Sequence, residues 1–157
     1  MTQSDTIYFE DLEPGRTFPL GPKLVSRDEV VEFASEFDAQ PMHMDEEAGK
    51  ASILGGLAAS GWHTCAMMMR MIFDSVLHRM ASEGAPGVEF VSWRRPVLVG
   101  DTLSGQTIVL EARRSQSRPA IGIVRFRMEL VNQRGELVLE SEYPSMIRAR
   151  DTLGAVA

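Results

Sequence analysis

The sequence predicts an α+β domain in which an antiparallel sheet curls around one long helix. Three observations carry this. Residues 26–81 hold the helical periodicities. The segment "GWHTCAMMMRMIFDSVLHRMA" is the longest apolar helical run. After "SEGAPG" the pattern changes to period 2, in strands separated by turn residues. Helices grouped before strands, rather than alternating with them, indicate α+β.

Taken in order, "FEDLEPGRTFPLGP" is turn-rich, and "TFPL" and "KLVS" read as short strand pieces. A helix starts at Ser26. Ser26 and Glu29 have capping-box spacing, in which each side chain satisfies an orphan backbone N–H. Val30, Phe33, Ala34 and Phe37 give it one apolar face. Pro41 restricts Gln40 to extended geometry and ends the helix near Asp38. His43 follows in a proline turn. Asp45 is the expected N-cap of a short helix in "EEAGKAS", with Glu46 and Glu47 favoured in its first turn by the helix dipole. "ILGGLAASG" reads as a flexible connector.

The long helix is expected from Gly61 to Ala81, about 21 residues and about 32 Å. Trp62, Cys65, Ala66, Met69, Ile72, Phe73, Val76, Leu77 and Met80 form its apolar face. Met67, Met68 and Met71 make the first half apolar almost all round, as in a helix buried mid-domain. Gly84 is the expected C-cap. Strands follow, broken at Pro96 and Gly100. In "IGIVRFRMELV", Val124, Phe126, Met128 and Leu130 alternate with Arg125, Arg127 and Glu129, so one face is buried and one wet. "NQRG" is a hairpin turn leading to the last strand, and "DTLGAVA" (151–157) a loose tail.

Composition narrows the function. The 157 residues suit one domain, 1–157. A net charge of −6 argues against general nucleic-acid or membrane-surface binding. Local arginines (Arg94, Arg95, Arg113, Arg114 and Arg118) are nonetheless candidates to meet a small polyanion. Cys65 is the only cysteine, so no intramolecular disulfide forms, and with no apolar, cleavable N-terminus the expected location is cytoplasmic. No run spans a bilayer.

"EFDAQPMHMDEE" sets five carboxylates around His43. Asp38 and His43, across a proline turn, can hold a water and move its protons. The competing reading is a plain turn. Asp38, His43 and Asp45 could offer metal ligands, but no paired histidines or cysteines accompany them, and no metal is expected. Ser60, His63 and Asp38 contain the types of a nucleophilic triad without a nucleophile-elbow motif. No phosphate-binding glycine pattern occurs, the methionine stripe reads as core, and Cys65 as inert. The helix start at Gly61 offers unpaired N–H groups that can stabilise an oxyanion.

Together, "FASEFDAQPMHMDEEAGKAS", "GGLAASGWHT" and "RRPVLVGDTL" resemble, in the same order, the MaoC-like dehydratases and (R)-specific enoyl-CoA hydratases of the hot-dog superfamily. The first segment is similar to the hydratase signature Asp-x-Asn-Pro-x-His. Gln40 replaces its Asn, Phe37 replaces a common small residue, and Ser60 stands where many members have His. The resemblance implies a hot-dog fold, Asp38 and His43 as the catalytic pair, and a substrate-binding Gly61 N–H with Ser60 beside it. It implies reversible addition of water to a trans-2-enoyl thioester of CoA or acyl-carrier protein, no cofactor, and a homodimer or higher homo-oligomer. A hot-dog thioesterase or a non-catalytic acyl-thioester binding module are the alternatives. "RRPVLVGDTL" is expected to be structural, a strand that bends at Gly100.

Overall fold

The computed structural model describes residues 5–150. Its five strands are β1 (Thr17–Leu24), β2 (Phe90–Trp93), β3 (Thr102–Arg114), β4 (Ile121–Val131) and β5 (Leu137–Arg148). They form one antiparallel sheet in the order β1-β3-β4-β5-β2. The helices are α1 (Arg27–Phe37), α2 (Pro41–Met44), α3 (Glu46–Ala51) and α4 (Gly61–Ser75). The sheet curves around α4, which is the hot-dog arrangement. The expected tail, 151–157, lies outside the described residues.

The core is the space between α4 and the sheet. Val124, Met128 and Leu130 of β4, Val109 of β3, and Leu139 and Ile147 of β5 are fully buried. The period-2 reading of β4 holds along its whole length, with inward residues buried and outward residues half-exposed. The "NQRG" turn closes through Gly135 N–H to the Asn132 carbonyl (3.0 Å).

"TFPL" and "KLVS" are not two pieces. β1 joins the first to the start of the second, ending at Leu24, and shifts register between Leu20 and Lys23, where Pro22 can give no ladder hydrogen bond. The α1 cap is as expected, with Ser26 accepting from the Glu29 N–H. His43 does not lie in a loop. Pro41 opens the one-turn helix α2, where its missing N–H costs nothing.

α4 corrects the sequence reading in three ways. It ends at Ser75, not Ala81, because Val76 leaves helical geometry and a 3-10 turn, Leu77–Arg79, follows. Beyond it the backbone pairs elsewhere. Ile7 donates to the Arg79 carbonyl and accepts from Ala81, and Ser82 bridges Ile147 of β5. Tertiary pairing therefore overrides a helical period that the side chains still display. Gly84 is no C-cap. It lies beside β5, accepting from Met146, while Val76 caps the helix. The buried face is also rotated from the expected one. His63, Thr64, Met67, Met68, Met71 and Ile72 are buried, whereas Trp62, Met69 and Phe73 are exposed.

The connector before α4 is not flexible coil. Ala59 N–H donates to the Val97 carbonyl and Val99 N–H to the Leu57 carbonyl, and Leu57 to Ser60 are buried. The "PVLVGD" segment anchors it. Asp101 accepts from the Leu98 N–H and from Gln133, fixing the turn at Gly100 (φ 93°). The expected strand bending at Gly100 is not formed: between β2 and β3 the segment makes a single bridge, Leu98 to Ala58, and a turn, and its hydrogen bonds hold Leu57 and Ala59 in place.

Candidate active site

α1 ends at Asp38, whose backbone N–H still bonds the Ala34 carbonyl (2.8 Å). The turn through Gln40 and Pro41 then brings α2 back so that His43 faces Asp38. His43 Nε2 lies 3.6 Å from Asp38 Oδ2. The imidazole is buried, and its Nδ1 lies 2.7 Å from the Ala58 carbonyl oxygen. A carbonyl only accepts, so Nδ1 carries the hydrogen. In the neutral ring Nε2 is then a free acceptor on the Asp38 side. At 3.6 Å the two acceptors are beyond hydrogen-bond reach of each other. A water donating one hydrogen to each would satisfy both.

The Asp38 carboxylate is held by donors on both oxygens. Ser60 Oγ donates to Oδ2 (2.6 Å) and Gln40 Nε2 to Oδ1 (2.8 Å). The Ser60 hydroxyl first, then the Gln40 amide, keep the Asp38 carboxyl below the ordinary carboxylate range. Partial burial opposes them, and charge on His43 adds to them. Gln40 thus bridges to the Asp38 carboxylate. Ser60 has a second task. As N-cap of α4, its Oγ accepts from the Trp62 N–H (3.3 Å).

Gly61 is the first residue of α4. Among the described residues its N–H has no hydrogen-bond partner. It lines a cleft of about 300 Å³ together with His43, Ala58, Thr64, Trp93 and Val97. A Cβ at Gly61 would meet the Trp93 indole at 2.6 Å, so the neighbouring ring leaves no room for a side chain.

The other sequence candidates separate. Asp45 caps α3 through the Ala48 N–H (2.9 Å) and does not join His43. Among the described residues no group of three or more His, Cys, Asp or Glu is placed to hold a metal ion. The Ser60–His63–Asp38 triad is not assembled. Ser60 bonds Asp38 directly, while His63 stacks on Phe33 at 4.8 Å and its buried Nδ1 has no partner. Phe37 does not narrow the cleft. It is 67 % exposed, in a groove with Phe33, His63 and the α1 glutamates. Cys65 is half-buried, and burial pushes its thiol up. Arg94 and Arg95 reach the cleft, each with a carboxylate partner, Glu140 and Glu136 respectively, whereas Arg113, Arg114 and Arg118 do not line it.

Two contributors were not singled out in the sequence. The Ala58 carbonyl leaves no trace there, because any residue supplies one. Trp93 is visible only as an aromatic before "RRPV". Among the described residues no helix is long and apolar enough to cross a membrane.

A curved five-stranded antiparallel sheet wrapped on one helix places the chain among the hot-dog proteins. The family described as MaoC like domain matches residues 11–127, and the chain belongs to that family. The MaoC-like dehydratase from Rhodospirillum rubrum is 39 % identical, over 92 % of this chain and 98 % of that one, with a TM-score of 0.82. R-hydratase PhaJ1 from Pseudomonas aeruginosa shares the fold (TM-score 0.75) at 22 % identity, over 92 % and 88 % of the two chains. Mesaconyl-CoA hydratase from Cereibacter sphaeroides is 28 % identical over 92 % of this chain, which spans 42 % of that protein's length.

Proposed function

We propose that the protein is an enoyl-thioester hydratase, equivalently a 3-hydroxyacyl-thioester dehydratase. The observation that carries this is the pairing of the free Nε2 of His43 with the donor-held carboxylate of Asp38, next to the unbonded Gly61 N–H. The pair holds one water. As the water oxygen bonds to C3 of the enoyl group, its proton passes to the pair. The C2=C3 electrons move onto the thioester carbonyl, whose oxygen becomes an enolate. The Gly61 N–H, at the positive end of α4, stabilises that oxygen. The enolate then collapses, and the pair returns the proton to C2 on the same face. Dehydration is the reverse. Asp38 and His43 act here as one coupled unit.

The substrate is an acyl thioester of CoA or acyl-carrier protein, the working assembly a homodimer, and the location the cytoplasm. The MaoC-like family and the dehydratase and hydratase relatives support the hydro-lyase reading. Loss of the conjugated enoyl absorbance tests it, with crotonyl-CoA and longer trans-2-enoyl-CoAs. Turnover of at least one is expected. Folded protein that turns over none overturns the proposal, and release of free thiol in the same cuvette marks a thioesterase instead.

A further inference from the structure

Gly61 is held from both sides. Towards its N-terminus, the Ser60 carbonyl accepts from the Thr64 N–H (2.9 Å). Towards its C-terminus, Trp93 Nε1 donates to the Gly61 carbonyl (3.0 Å). The indole lies against the glycine Cα, since three of its ring carbons stand 2.6, 2.8 and 2.9 Å from where a Cβ would be. A glycine in the first turn of a helix has the most backbone freedom of any residue. Here the ring and the two hydrogen bonds remove it, and the direction of the unbonded N–H is set.

The position of the ring is itself determined. Trp93 ends β2 opposite the fully buried Leu139 of β5, and Trp62 meets the indole edge-on at 5.2 Å. Trp93 is nevertheless 45 % exposed and lines the cleft with His43 and Thr64. Burying the ring is therefore not its whole purpose.

We propose that Trp93 is a positioning residue for the thioester carbonyl, aiming the Gly61 N–H through its indole and forming the wall along which the acyl thioester lies. The inference rests on the acyl-thioester reading of the cleft. It adds a residue outside the Asp38/His43 segment and ties the catalytic turn to β2.

The test uses two variants and two readouts. Trp93→Phe keeps a ring and drops the donor. With crotonyl-CoA its kcat is expected to fall about tenfold while KM stays within about twofold, because a misaimed donor costs the transition state more than the ground state. The second readout needs no turnover. The chain has two tryptophans, so Trp62→Phe leaves Trp93 as sole emitter. Unreactive butyryl-CoA is expected to shift or quench its emission saturably. If wild-type protein turns over crotonyl-CoA and Trp93→Phe retains its kcat, the positioning role is overturned. If wild type is inactive yet butyryl-CoA changes the Trp93 emission, the hydratase reading falls and the ligand wall stands. No emission change overturns the wall.

Discussion

At Asp38 the chemistry depends on what occupies its oxygens. In the proposed mechanism, loss of either member of the pair removes an acid/base group. Asp38→Asn and His43→Ala should each lower kcat/KM with an enoyl-CoA by about 10²-fold or more; near-wild-type rates would remove that residue from the mechanism. Ser60→Ala tests the surroundings. Ser60 is the main reason the Asp38 carboxyl stays low, so its removal lets that pKa rise. The proposed reaction uses the carboxylate, so activity is expected to be lost as pH falls through the Asp38 pKa. The acid limb of the pH–rate profile should therefore move to higher pH in Ser60→Ala. An unmoved limb would show that the Ser60 bond does not tune Asp38. The same change removes the α4 cap and should cost about 1 kcal/mol of stability. The proximity of Asp38 and His43 was legible in their short spacing across Pro41, and the open N–H of Gly61 in the helix start. Trp93 and the Ala58 carbonyl were not, because chain pairings 15 and 32 residues away bring them in.

β4 and β5 carry the same contrast between pattern and partner. Alternation showed which β4 residues face outward, but not that they form an ion-pair lattice with β5. Arg127 Nη2 donates to Glu140 Oε2 (2.9 Å) and Nη1 to Glu142 Oε1 (3.2 Å), while Arg94, the residue after β2, binds the other Glu140 oxygen. The Arg94 hydrogen bond, above all, keeps the Glu140 carboxyl below the ordinary range, against the opposing effect of burial. A carboxylate with a depressed folded-state pKa stabilises the fold above its unfolded pKa. That contribution is lost as pH falls through the folded value. Glu140→Gln should thus lower Tm at neutral pH, and its deficit against wild type should close as the solution is acidified. A deficit independent of pH would assign the effect to packing. α4 shows the opposite limit of pattern reading. Both of its flanks are apolar, so the 3- and 4-residue steps revealed the helix but not which flank the sheet covers. Its end was hidden because residues 77–80 keep a helical period while their backbone pairs with Ile7.

The whole molecule leaves apolar surface where the sheet runs out. β2 is an edge strand of four residues, paired on one side with β5. Val88, Phe90, Trp93 and Trp62 lie on or against this edge and remain 57, 37, 45 and 64 % exposed. An open strand edge beside apolar side chains is a template for pairing with another chain. Periodicity placed Trp62 on the core face, but the sheet does not cover it and it is 64 % exposed. A second copy meeting β2 along this edge would cover Phe90 and Val88 and leave the cleft side of Trp93 open to ligand. Sedimentation should therefore give twice the 17.4 kDa chain mass at micromolar concentration. Phe90→Glu should shift that equilibrium to monomer, since a carboxylate in a closed apolar contact has no partner. Trp93 stands three residues along the same strand, against Gly61, so the monomeric variant should also lose activity. Its secondary structure by circular dichroism should be unchanged. A wild-type monomer would refute the assembly, and a Phe90→Glu dimer with full activity would place the interface on another face.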